Sequence, residues 1–150
     1  MKSRNLVLLA LLLGCVAAQA GAWGYRSFEN DDALDWIEES FKPDRQAAVE
    51  KAILRAAKDN GNLDAPEACE AIAACEILAA AQGRASRDMP KDVVVLAKKL
   101  PSKVSDSMRK NARDALDRIL IKSELSDLWK EAKDNFENWK KTVEDLKARV

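Results

Sequence analysis

From residue 31 onward, apolar side chains recur every three or four positions, the spacing of one helical face. Asn30 or Asp31 is placed to cap a first helix whose apolar side is Ala33, Leu34, Ile37 and Phe41, and Pro43 ends it. A second helix carries Val49, Ala52, Ile53 and Ala56 on one face and stops at Asn60-Gly61, a left-handed stop signal. Asp64-Ala65-Pro66-Glu67 reads as a capping box opening a third helix. Its body, ACEAIAACEILAAA over residues 68–81, holds two polar side chains, Glu70 and Glu76, and Gly83 ends it. A helix that is apolar all round belongs at the centre of a bundle, and its alanines let neighbours approach closely. ASRDMP (85–90) is a linker, followed by a short helix over about 91–99 that ends before Pro101. Another helix runs from about 103 to 121 with Met108, Ala112, Ala115, Leu116, Ile119 and Leu120 inward. Ser123 caps the last helix, where Leu125, Leu128, Ala132, Phe136, Trp139, Val143, Leu146 and Val150 form a heptad-like seam. That seam predicts one uninterrupted helix about 40 Å long, at roughly 1.5 Å per residue. No segment alternates with period two. The pattern predicts an all-α fold: a single compact bundle of five or six helices over residues 21–150, with a buried Ala-rich central helix and a long C-terminal helix. Packing of that last helix in cis, as a monomer, is preferred over a coiled-coil dimer, because its flanking positions carry no clean charge code.

The first twenty residues follow a different pattern. Lys2 and Arg4 precede an apolar run from Leu6 to Leu13, and Ala18 and Ala20 make a small-residue cleavage site. This reads as a secretory signal peptide over residues 1–20, too short to span a membrane, with cleavage after Ala20. Leu12-Leu13-Gly14-Cys15 offers the alternative of a lipoprotein anchored through Cys15. The expected location is periplasmic or secreted, with no transmembrane span in the mature chain.

Without residues 1–20, which carry Lys2 and Arg4 and no acid, 23 basic and 25 acidic side chains remain, a net charge of −2. That balance argues against nucleic acid as a partner, which needs a basic stripe. The chain has no histidine, which removes Ser-His and Cys-His pairs, His-ligated zinc and His general bases. No cofactor and no metal is called for. Cys69 and Cys75 sit six residues apart on one helix, about 9 Å by helical rise. A disulfide needs less than about 7 Å, so both are expected as free buried thiols.

The stretch GAWGYRSFENDDALDW (21–36) concentrates the candidate chemistry. Trp23 and Phe28 stand outside the helix, as a hydrophobic lid or an exposed aromatic patch. Asn30, Asp31 and Asp35 lie in an acid cluster with Glu29 and Asp32. Its spacing is not that of a calcium loop, and acids in a first turn complement the helix dipole. Trp36 completes this candidate partner- or ligand-binding set. Glu76, in the middle of the apolar helix, must be ion-paired, hydrogen-bonded or raised in pKa. It could find a lysine or arginine elsewhere in the chain, or act as a general acid/base with Asp35 or Glu70 as second carboxylate. Glu70 is about 120° around the helix from Glu76, so the enzyme reading requires folding to bring in Asp35.

Four pieces together resemble the bacterial family called domain of unknown function 4259. They are Gly21-Ala22-Trp23-Gly24 with Phe28-Glu29-Asn30-Asp31 and Ala33-Leu34-Asp35-Trp36; Ala73-Ala74-Cys75-Glu76-Ile77; Ser123-Glu124-Leu125 with Leu128-Trp129; and Trp139 with Leu146. Members of that family usually continue Gly-x-Gly-Pro-Phe, whereas Tyr25-Arg26-Ser27 precede Phe28 here. Many members begin at this motif without an export leader. The resemblance implies the helical fold and carries no activity. The expected function is therefore that of an exported helical protein, without catalysis, that binds another envelope protein. The alternative is a carboxylate-based enzyme or a small-ligand or metal binder using Glu76 and Asp35.

Overall fold

The computed structural model describes residues 22–150. The leader expected over residues 1–20, with Cys15 and the Ala20 cleavage site, lies outside them. Among the described residues there are seven α-helices: α1 (Asp31–Trp36), α2 (Arg45–Lys58), α3 (Ala65–Ala81), α4 (Lys91–Ala97), α5 (Asp106–Ile121), α6 (Glu124–Glu131) and α7 (Phe136–Arg149). A π turn (Ile37–Phe41) extends α1, and a 3-10 turn (Lys133–Asn135) joins α6 to α7. No strand is formed among these residues, and the only β pairs are two isolated bridges. The all-α class read from the sequence is the class observed. None of these helices is long and apolar enough to cross a membrane.

Helix α3 is the centre, packing against each of the other six α-helices. Fourteen of its seventeen residues are buried. Side chains as small as Ala71, Ala73, Ala74 and Ala79, all fully buried, allow that many helices to surround a single one. Its C-terminal end is a Schellman motif: Gly83, at φ +80, donates to Ala80 O and Arg84 N donates to Ala79 O, each at 2.9 Å. Cys69 and Cys75 are free and buried. Burial pushes the Cys69 thiol up to about 12, and pushes Cys75 up as well, so both are inert apolar filler.

At the N-terminal end of α3 the capping box expected from Asp64 is absent; Asp64 makes no side-chain cap. The α3 amide of Ala65 donates instead to Glu124 Oε2 at 3.0 Å, and Glu124 N donates to Leu63 O at 2.9 Å. The start of α6 thus caps the start of α3. Ser123 holds this junction, accepting from Ser126 N at 3.0 Å and donating to Ile119 O at 2.6 Å.

Two further expectations are corrected. Asn60-Gly61 does not form a left-handed stop; α2 ends where Asp59 turns extended (φ −60, ψ 132), and the Asp59 carboxylate accepts from Gly61 N at 2.8 Å. The long C-terminal helix is broken. Lys133 adopts φ +34 and the chain passes through the 3-10 turn before α7. On one straight helix Trp129 and Trp139 would lie about 15 Å apart along the axis. The break brings their rings into a stack at 6.2 Å, with Phe136 6.0 Å from Trp139. Asp134 and Asn135, weak helix formers, sit at the break. The π turn works similarly. Lys42 N donates to Ile37 O, an i→i+5 bond of 2.9 Å. The widened turn lets Trp36 and Phe41, five residues apart, stack at 5.9 Å inside the core.

The trans cap gives an ordering of two substitutions. Glu124→Ala is expected to lower unfolding free energy by about 1 kcal/mol, while Asp64→Ala changes it by less than about 0.5 kcal/mol. Urea denaturation of the two variants measures this, and the reverse order would refute Glu124 as the cap.

Candidate functional site

Residues 22–30 form a closed arm laid on the bundle. Ala22 pairs with Asn30 in an antiparallel bridge, and Trp23 N and Gly24 N donate to Glu29 O at 3.0 and 3.3 Å. The Glu29 side chain folds back to accept from Arg26 N at 3.1 Å, against the face of Gly24. A Cβ at Gly24 would overlap that carboxylate, so the close approach requires glycine there. Asn30 is the N-cap of α1: its Oδ1 accepts from Ala33 N at 2.8 Å and its Nδ2 donates to Ser27 O at 3.3 Å. Phe28 is buried in the core, while Trp23 remains 59% exposed.

Beneath the arm lies Glu76, 1% exposed. Its carboxylate meets a two-pronged guanidinium: Arg149 Nη1 donates to Oε2 at 2.9 Å and Nη2 to Oε1 at 2.8 Å. Ser27 Oγ donates to Oε1 at 2.9 Å. Arg149 Nη1 also donates to Arg84 O at 3.0 Å, and Nε to Asp145 at 2.8 Å. Burial works against the Arg149 charge, but Glu76 and then Asp145 outweigh it and hold the guanidinium pKa above its ordinary value. The geometry is the bidentate fork that makes Arg–carboxylate pairs specific. It ties together the arm, the middle of α3, the turn after α3 and the end of α7.

A cleft of about 430 Å³ opens above this pair, between the arm, the linker ahead of α4 and α7. Tyr25, Phe28, Asp88, Asn138 and Lys141 are among the residues on its walls, with Glu76 and Arg149 in its lining. Arg26 closes one side through Asp88, at 3.4 Å. Tyr25, Arg26 and Ser27, the residues that interrupt the Gly-x-Gly-Pro-Phe pattern, all line it.

Of the seven residues singled out from the sequence, Phe28 and Glu76 line this cleft and the other five do not. Asp31 and Asp35 are exposed on α1, and Trp36 is buried against Phe41. The fold thus gives Glu76 an arginine and a serine as partners and leaves Asp35 outside the cleft. Asp32, between Asp31 and Asp35, has its pKa raised by partial burial and then by those two neighbours. Burial likewise raises Glu70, with Arg55 opposing the shift. Among the described residues no group of three or more acids or cysteines is arranged to hold a metal ion. Sequence reasoning missed Ser27 and Arg149. The lone carboxylate of an apolar helix signals that a cation is needed; nothing in the chain marks a residue 73 positions away as its source.

The arm, the alanine-rich centre and the bundle around it define a small helical domain. The chain belongs to the family Domain of unknown function (DUF4259), whose model matches residues 21–142. The match ends within α7, so Arg149 lies beyond it. No curated protein and no solved structure matches the chain.

The buried pair and the acid cluster make separate predictions. Arg149→Met leaves the Glu76 charge unpaired and is expected to cost about 3–5 kcal/mol; adding Glu76→Met recovers much of the loss. Chemical denaturation of the single and double variants checks this. For Asp32 the folded pKa lies above the unfolded one, so the charged form opposes folding. Asp32→Asn should therefore raise the melting temperature at neutral pH. The gain should shrink as pH falls through the raised Asp32 pKa and vanish once Asp32 is protonated in both states. A gain that persists in acid would refute this electrostatic origin.

Proposed function

We propose that this is an exported, non-enzymatic binding protein that acts on another protein of the cell envelope, as a monomer, through its N-terminal arm. The observation that carries the reading is Trp23. A large aromatic side chain, 59% exposed, stands on backbone held by two hydrogen bonds to Glu29 O. Exposed tryptophan on a pre-organised segment is the chemistry of an interface anchor, because little freedom is lost when it is covered. Glu76 supports a non-catalytic reading, since Arg149 and Ser27 already engage both of its oxygens. The monomer is supported by α7, whose Trp139, Val143 and Leu146 are buried within the chain's own core. Export rests on the leader pattern of residues 1–20, with release after Ala20 and lipidation at Cys15 as the competing outcome.

The test is site-specific photo-crosslinking in intact cells. A photo-reactive amino acid replaces Trp23 in one strain and Ile121, exposed at the end of α5, in another. One discrete protein adduct from position 23, absent from position 121, is the expected result. No adduct at position 23, or the same adducts from both positions, overturns the docking reading. Intact mass of the purified chain reads the export step: a chain starting at Gly21 supports cleavage, and added acyl mass at Cys15 replaces it with the anchored form.

A further inference from the structure

The Asn60-Gly61 pair sits in the connection between α2 and α3, where both residues are exposed. It is the chain's one asparagine followed by glycine, and that pairing has a chemistry of its own. Asparagine is thermolabile: the backbone nitrogen of the next residue attacks its side-chain carbonyl and expels ammonia. Glycine opens the way to that attack, because it has no Cβ to obstruct the approach. In this fold the attacking nitrogen is already engaged. Gly61 N donates to Asp59 Oδ1 at 2.8 Å, an Asx turn. Arg118 Nη2 braces both partners, donating to Gly61 O at 3.0 Å and to Asp59 Oδ1 at 3.5 Å.

Attack requires that nitrogen to give up its proton. A carboxylate accepting the same N–H favours the protonated nitrogen, and its negative charge opposes an anionic one. We propose that Asn60 is a site of spontaneous deamidation, and that the Asp59 carboxylate restrains it by holding the Gly61 N–H. The step balances with water alone. Gly61 N loses its proton and bonds to Asn60 Cγ; the Cγ–Nδ2 bond breaks, and ammonia carries the proton away. Water then opens the resulting cyclic imide at either of its carbonyls. Cleavage between Gly61 N and Asn60 Cγ leaves aspartate. Cleavage between Gly61 N and the Asn60 backbone carbonyl leaves isoaspartate, with the chain running through the side chain. Isoaspartate is therefore diagnostic of attack by Gly61 N, because direct hydrolysis of the amide yields aspartate alone. Either product places a new negative charge beside Asp59. The inference is independent of the arm and of any partner that covers Trp23.

Peptide mapping of the purified chain, aged at mildly alkaline pH, tests this, with isoaspartate read by enzymatic methylation. Aspartate and isoaspartate are expected to accumulate at position 60 ahead of any change at Asn62, which is also exposed but precedes Leu63. Gly61→Ala should slow the change sharply. The added Cβ meets Asp59 Oδ1 at an ordinary 3.6 Å and the Gly61 φ is not left-handed, so the loop is kept. Asp59→Ala, with circular dichroism unaltered, should accelerate the change about three- to tenfold, the span of one hydrogen bond, without accelerating Asn62. The wild-type chain unfolded in urea should likewise outpace the folded chain. The proposal is overturned by no isoaspartate at position 60 in either the folded or the unfolded chain, by Gly61→Ala as fast as the wild type, or by Asp59→Ala that is no faster or that speeds Asn62 to the same degree. Should Asp59→Ala fail to fold, the folded and unfolded wild-type rates decide the restraint, and equal rates overturn it.

Discussion

Close approach to one helix is the constraint on which this structure depends. Helix α3 packs against all six other α-helices, and a helix with ordinary leucines and phenylalanines on every side could not hold so many neighbours at such short range. Its alanines solve the spacing but give little apolar area per residue, so larger residues on the surrounding helices and their connections must fill the volume. Phe41, Ile53, Leu63, Leu116, Ile119 and Leu146 do so, all fully buried. Helix order in the chain then matters less than which helix brings a large side chain to which alanine.

The one charge inside this centre has a disproportionate effect. An unpaired carboxylate at Glu76 would oppose folding strongly, so the fold must deliver a cation there. Arg149 supplies it from the far end of the chain, and Ser27 adds a hydroxyl from the near end. The ends of the domain are thereby fixed to its middle. A pair of this kind seldom adds net stability over an apolar replacement; its effect is to make one arrangement of arm, α3 and α7 preferable to others. The same pair lines the cleft, so the shape of that surface follows from a core requirement.

Much of the fold could be read from local pattern. Apolar pattern alone locates α2, α3 and α5, since Val49, Ala52, Ile53 and Ala56, every residue of the ACEAIAACEILAAA run except Glu70, and Ala112, Ala115, Leu116 and Ile119 are buried. What escaped were features set by distant contacts. The heptad seam from Leu125 to Val150 reads as one helix, and the stacking of Trp129 on Trp139 selects two. Asp64 has the right identity and place for a cap, yet Glu124, 59 residues from Ala65, accepts that residue's amide and caps the helix. The candidate site divides in the same way. Phe28 and Glu76 were visible as an aromatic outside a helix and a charge inside one. Trp36 belongs to the same candidate set as Trp23, but a π turn stacks it on Phe41 in the core, while Trp23 stays exposed on the arm.

The contrast between those two tryptophans bears directly on function. Burying an indole contributes stability, and the bundle had a means of burying one near its N-terminus. Trp23 is instead held outward by an arm whose other aromatic, Phe28, is inserted into the core, and whose backbone is closed on itself through Glu29. The cost of fixing that backbone is met within the chain itself by the Ser27–Glu76 bond, the Arg26–Asp88 pair and the Asn30 cap. A partner covering Trp23 would then gain its apolar area with little of the ordering penalty that a flexible tail would impose. That separation of tasks, in which Phe28 secures the arm and Trp23 stands outside it, is the physical support for the proposal that recognition falls on this arm rather than at the carboxylate below it.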